Sequence, residues 1–104
     1  MYRHEYRCDV RYGHFREFVE LSQEIAALEQ VRGWAVSSIW TPTVGPANEA
    51  VIIAEYASLG AFEEERQRRY GDAEYMRLAR QAEDLMVEGS FHDELLEEAQ
   101  QRLG

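Results

Sequence analysis

The chain has no lysine, one cysteine and two prolines among its 104 residues. All 11 basic side chains are arginines, set against 20 acidic ones, for a formal charge of -9. So little positive charge argues against nucleic-acid partners, which are held by faces rich in Lys and Arg. The one basic cluster, Arg66, Arg68 and Arg69, follows directly on Glu63, Glu64 and Glu65. On a helix Glu64 would meet Arg68 and Glu65 would meet Arg69, acid before base at i,i+4, so the cluster reads as a self-neutralised, solvated helix face. A lone Cys8 excludes an intrachain disulfide and fits a reducing compartment. The first residues, Met1 to Arg7, are charged rather than leader-like, and no apolar run approaches membrane-spanning length, so the expectation is a cytoplasmic protein with no membrane partner. There is no Gly-rich phosphate loop, no serine elbow and no CxxC.

What remains, 45% hydrophobic and 30% charged residues, is the composition of one ordinary globular domain spanning 1–104. Tyr2 to Val10 alternates, with Tyr2, His4, Tyr6, Cys8 and Val10 on one face and Arg3, Glu5, Arg7 and Asp9 on the other, as a strand does. After Gly13 the period changes: Phe15, Phe18, Ser22, Ile25 and Leu28 make an amphipathic helical stripe that should stop at Gly33. Trp34 to Thr41 and Ala47 to Tyr56 read as two strands of an antiparallel hairpin, because Pro42 and Pro46 fall in the connection, where no ladder donor is needed. Ser58 should cap a second helix that breaks at Gly71 and restarts with Asp72 as its cap. Val87 to Leu95 reads as a short final strand, followed by a tail over 97–104 that is helical or disordered.

Strand, helix, strand, strand, helix, strand is the ferredoxin-like βαββαβ order: an α+β fold with a four-stranded antiparallel sheet and helices on one face. The other face is left bare. Trp34, Trp40, Tyr56 and the apolar third strand supply more large side chains than one helical layer needs, so the bare face is expected to meet a second copy in a homodimer.

Several short motifs on this frame resemble those of the NIPSNAP family. Glu5-Tyr6-Arg7 is similar to the family's Glu-x-Arg in strand one, Gly45-Pro46-Ala47-Asn48 to its Gly-Pro-x-Asn before strand three, and Tyr56-Ala57-Ser58-Leu59 to its Tyr-x-Ser-Leu into helix two. The resemblance spans the chain and implies the dimeric α+β-barrel version of this fold. The chain departs from the family at Ile52 and Ala54, where a histidine and a tryptophan are often found.

The candidate ligand-binding residues are His4, Glu5, Tyr6, Arg7, Asn48, Tyr56 and His92. Glu5 and Arg7 would be partly buried ionic groups if their face lines a barrel, serving either as a structural ion pair or as an anion-binding arginine. Asn48 can bond its own backbone at the turn. Tyr6, Tyr56, Trp34 and Trp40 could wall an aromatic pocket or be plain core. His4 and His92, on strands expected to be neighbours, could approach one another as an acid and base. The three histidines lack metal-ligand spacing, so no metal and no cofactor are expected, and no catalytic residue is assigned. Two functions fit: a homodimeric protein with a small-molecule ligand in its barrel, or a cofactor-independent monooxygenase or isomerase of the antibiotic-biosynthesis type, acting on an aromatic substrate.

Overall fold

A computed structural model describes residues 1–103. Strands β1 (Tyr2–Asp9), β2 (Ser38–Trp40), β3 (Glu49–Tyr56) and β4 (His92–Glu97) form one antiparallel sheet in the order β2-β3-β1-β4. Helices α1 (Phe15–Arg32), α2 (Leu59–Tyr70) and α3 (Ala73–Glu83) lie on one face of it, and a short α4 (Ala99–Leu103) ends the described chain. This is the expected ferredoxin-like architecture. Of the tail over 97–104, Glu97 belongs to β4 and Gly104 lies outside the described residues.

The alternation of β1 sorts its side chains cleanly. Cys8 and Ala50, directly paired across β1 and β3, join Val10, Phe18, Ala82 and Leu85 in the buried core, with Tyr6, Phe15, Ile39, Ile52 and Met86 packed around them. Phe18, fully buried, is the α1 stripe's contribution to that core. Gly33 ends α1 in the left-handed conformation, φ 74°, which glycine adopts without steric cost. Ser58 accepts from the Ala61 N–H and Asp72 from the Tyr75 N–H, so both expected helix caps form.

Two strands differ from expectation. β2 is three residues long, because Trp34 to Ser37 commits its backbone elsewhere: Ala35 N–H donates to Glu65 Oε1 at 2.7 Å and Ser37 N–H to Glu29 Oε1 at 2.8 Å. A backbone whose amides are bound by side chains cannot extend a ladder. β4 starts at His92 rather than Val87, since the residues ahead of it dock on the end of β1. Val87 N–H donates to Asp9 O, Ser90 Oγ donates to Val87 O and accepts from Asp9 N–H, and Val10 bridges Met86. Leu95 and Leu96 lie in the strand.

Candidate functional site

Residues paired directly across antiparallel strands share a face, so the register fixes where each candidate lies. Arg3, Glu5, Arg7 and Asp9 of β1 are opposite Glu55, Ile53, Val51 and Glu49 of β3. On the other flank Arg3, Glu5 and Arg7 are opposite Leu96, Glu94 and His92 of β4, and Ser38 and Trp40 of β2 are opposite Ile53 and Val51. Together these residues make up the open face, the one without helices. His4, Tyr6 and Tyr56 project to the helical side instead. The sheet thus divides the seven candidates: Glu5, Arg7 and His92 on the open face, His4, Tyr6 and Tyr56 beneath the helices, and Asn48 at the sheet's end.

On the open face Arg7 is the centre. Its guanidinium donates to Glu5 Oε1 at 3.0 Å and to Glu49 Oε1 at 3.5 Å, and Arg3 pairs with Glu55 at 3.6 Å. With two carboxylates already around it, Arg7 resembles a structural ion-pair hub more than an anion receptor. His92 meets Glu94 at 3.5 Å on the outer strand. Among these groups stand Val51, buried, Trp40, 60% exposed, and Leu96, 41% exposed. The indole N–H of Trp40 donates to Ser38 Oγ at 2.8 Å, and the ring remains accessible.

On the helical side the candidates do not converge. His4 faces Asp93 Oδ2 at 3.0 Å and packs its ring against Phe62, 5.4 Å between centroids. It does not approach His92, which pairs with Arg7 on the opposite face: the register matches odd positions of β1 with even positions of β4, so His4 and His92, both even, point to opposite sides. Tyr6 stacks on Phe91 at 5.3 Å and donates its hydroxyl to Met86 Sδ at 3.4 Å; burial, before nearby negative charge, pushes its phenol well above the usual range. Cys8 is buried, and burial, then Asp9 and Glu49, push its thiol up to about 11, so it is not a thiolate nucleophile at neutral pH. Asn48 reaches across the sheet's end instead of back to its own turn: its side-chain amide donates to Val10 O at 3.0 Å.

Tyr56 belongs to a cluster that sequence reasoning missed. Arg69 donates to Glu29 Oε2, to Glu65 Oε2 at 3.0 Å and to Ala35 O at 3.0 Å, while Tyr56 donates to Glu65 Oε2 at 2.5 Å. The guanidinium packs against the rings of Trp34 and Tyr75, 5.1 and 5.2 Å from their centroids, and the two rings meet edge to face 5.9 Å apart. Glu29 is 2% exposed and also accepts from the Ser37 N–H and hydroxyl. Burial works against the charge of Arg69, but the Glu29 carboxylate outweighs it and the guanidinium is held more firmly protonated than usual. The Glu65–Arg69 pair is therefore not part of a solvated face: only Glu64 and Arg68, joined at 2.7 Å, keep that character. Among the described residues no fully buried side-chain nitrogen or oxygen lacks a partner, so the chemistry of this cluster is that of a clamp on the α1–β2 connection. The signal in the sequence is faint: a glutamate on the stripe side of α1, just ahead of Gly33 and Trp34.

Two hollows stand out on the surface. One, about 410 Å³, lies between α1 and α3 and is lined by Glu17, Glu20, Glu24, Asp84, Gln81 and two leucines. The other, about 200 Å³, lies between α1 and β2, against Ser22, Ala26, Ile39 and Ile52. Neither is lined by an aromatic side chain or by any of the seven candidates. Trp34, Trp40, Tyr6 and Tyr56 wall no common pocket: Trp40 is on the open face, Trp34 and Tyr56 fill the clamp, and Tyr6 packs against Phe91. Among the described residues no group of three His, Cys, Asp or Glu side chains could hold a metal ion, and no helix is long and apolar enough to cross a membrane.

Known structures share this architecture. A NIPSNAP family protein from Agrobacterium tumefaciens is 21% identical, with 92% of this chain and 90% of that one covered at a TM-score of 0.75. An uncharacterized NIPSNAP domain protein from Burkholderia xenovorans is 19% identical, with 95% of each chain covered at 0.77. SnoaB, a cofactor-independent oxygenase from Streptomyces nogalater, is 18% identical, with 94% of this chain and 92% of that one covered at 0.72. These likenesses establish the fold. Among curated proteins there is no match. The NIPSNAP sequence-family model matches residues 5–97, most of the chain, including the Glu5-Tyr6-Arg7 and Gly45-Pro46-Ala47-Asn48 motifs, and the chain belongs to the NIPSNAP family.

Proposed function

We propose that the protein works as a cytoplasmic homodimer, in which the open faces of two sheets meet to close a barrel, with a small ligand taken up between the sheets beside Glu5, Arg7 and His92. The observation that carries this reading is the make-up of the open face. Its cations are satisfied within the face, Arg7 by Glu5 and Glu49 and Arg3 by Glu55, so a second sheet can cover them without stranding a guanidinium. Trp40, Val51, Ile53 and Leu96 supply the apolar surface that makes covering favourable, and Trp40 is the kind of exposed aromatic that anchors interfaces. An isologous pairing is the commonest way for one such face to be buried.

The rival, a cofactor-independent monooxygenase or isomerase acting on an aromatic substrate, has fold likeness behind it and no constellation of side chains. Its best acid–base candidates lie apart, His4 on Asp93 and Tyr6 on Met86, and the space beneath the helices is filled by Phe18, Phe62 and Tyr56.

Native mass spectrometry of freshly purified protein tests the proposal. A dimer carrying extra mass is expected, and a bare dimer would remove the ligand but leave the assembly. A monomer at all concentrations would overturn the reading, and dioxygen uptake with a polycyclic phenol would favour the rival.

A further inference from the structure

We propose that the open face restrains its own pairing: it carries more like charge than its arginines neutralise, so the homodimer tightens when that charge is screened or removed. This inference rests on the homodimer reading above.

The register supplies the observation. The charged groups of the face are Arg3, Glu5, Arg7 and Asp9 from β1, Glu49 and Glu55 from β3, and Glu94 with His92 from β4; β2 adds only Ser38 and Trp40. Five carboxylates thus stand against two guanidiniums. Moreover, two of the cross-strand pairs are acid against acid, Glu5 opposite Glu94 and Asp9 opposite Glu49. Like charges directly opposite destabilise a sheet, and here both pairs lie on the uncovered side, where water can screen them. Arg7 relieves part of the strain by spanning Glu5 and Glu49, and no arginine reaches Glu94, whose side chain is 56% exposed.

Apposing two such faces doubles the excess and takes away the water. Stacked sheets sit about 10 Å apart, close to the Debye length of about 10 Å at 0.1 M salt. The carboxylates of one copy therefore act on those of the other at ordinary ionic strength, more strongly as the intervening medium becomes less polar. Against this works the apolar contact of Trp40, Val51, Ile53 and Leu96. The balance makes the assembly a tunable one: the apolar half of the face drives it and the acidic half opposes it.

Sedimentation equilibrium of the full chain measures this. In 20 mM buffer, Glu94→Gln is expected to lower the dimer Kd by at least about fivefold, because the charge is removed from both copies. Added sodium chloride should lower the wild-type Kd and have less effect on the variant. Glu20→Gln, an exposed change on α1 away from the face, removes the same overall charge and should shift Kd less than about twofold. An unchanged or raised Kd in Glu94→Gln would overturn the inference, as would an equal effect of Glu20→Gln, since total charge would then be responsible. Trp40→Ala distinguishes this failure from failure of the reading beneath it. A weakened dimer is expected, whereas a dimer indifferent to Trp40→Ala, or a wild-type monomer under all conditions, would overturn the homodimer through this face and the restraint with it.

Discussion

Arg69 and Arg7 each sit between two glutamates, and the two arrangements do opposite things. Arg69, between Glu29 and Glu65, has a side chain 11% exposed, and the carboxylates are 2% and 12% exposed. Arg7, between Glu5 and Glu49, is 40% exposed, with carboxylates at 14% and 26% and looser contacts of 3.0 and 3.5 Å. The same three side-chain types make a closed clamp in one place and a half-open hub in the other. What differs is the surroundings. Around Arg69, the rings of Trp34 and Tyr75, the Tyr56 hydroxyl and the backbone of Ala35 and Ser37 complete the coordination, leaving nothing for a partner to add. Around Arg7 the rest of the guanidinium is open to solvent, which leaves it room to meet a further group.

The comparison is tested first at Arg69. Arg69→Met leaves Glu29 and Glu65 buried without their cation, a change that costs about 3–5 kcal/mol in buried pairs. Urea unfolding is expected to show a loss of that size at unchanged slope, and a loss below about 1 kcal/mol would mean that the clamp is solvated after all. Tyr56→Phe is the milder version. Glu65 keeps Arg69 and the Ala35 N–H but loses one donor, and a hydrogen bond to a charged group is worth about 1.5–3 kcal/mol. The same melts should therefore rank Tyr56→Phe below Arg69→Met, and Tyr56→Phe on top of Arg69→Met should cost less than it does alone.

That the clamp escaped the sequence and the open face did not has a physical reason. The charges of the open face alternate along β1 in Arg3, Glu5, Arg7 and Asp9, a local pattern with a period of two. Glu65 and Arg69 look the same on a solvated helix as in a buried cluster, because the difference is made by Glu29 and Trp34, brought in by the fold. The same cause shortened β2: the branched and aromatic run from Trp34 has strand propensity, but Glu65 and Glu29 take its amides. A final strand over Val87 to Leu95 was legible, but the face of His92 was not: expected to approach His4, it lies on the opposite side of the sheet once β4 is in register with β1. The start of β4 was misplaced, because docking of Val87 and Ser90 on Asp9 depends on where β1 ends. The helix caps at Ser58 and Asp72 and the stop at Gly33 were legible because each acts within a few residues.

At Arg7 the expectation reverses. Arg7→Met is expected to change the stability of the isolated chain by less than about 1 kcal/mol, since the pair is solvent-screened. A loss as large as that of Arg69→Met would erase the distinction between clamp and hub. The informative readout is assembly, because the two carboxylates released by the change add to the acidic excess of the face and should weaken the proposed dimer.

A third arginine, about as exposed as Arg7, extends the comparison to a trio that includes a helix cap. Arg32, in the last turn of α1, donates to Asp72 Oδ2 at 2.9 Å and Glu74 Oε2 at 3.3 Å, once more one guanidinium and two carboxylates. Here Asp72 also caps α3, and its carboxyl is held below the usual range, first by the Tyr75 N–H and then by Arg32. A carboxyl whose folded pKa is depressed contributes stability that is fully present above its unfolded value, near about 3.9, and lost as pH falls through the folded one. The effect is thus confined to the acid limb. Asp72→Asn, which retains capping ability but not the charge that Arg32 holds, should lower stability modestly at neutral pH and flatten the fall in melting temperature below about pH 4. An Asp72→Asn variant whose acid limb tracks the wild type would mean that Arg32 and the cap do not grip Asp72 in solution, and that only enclosure, as at Arg69, makes such a trio hold.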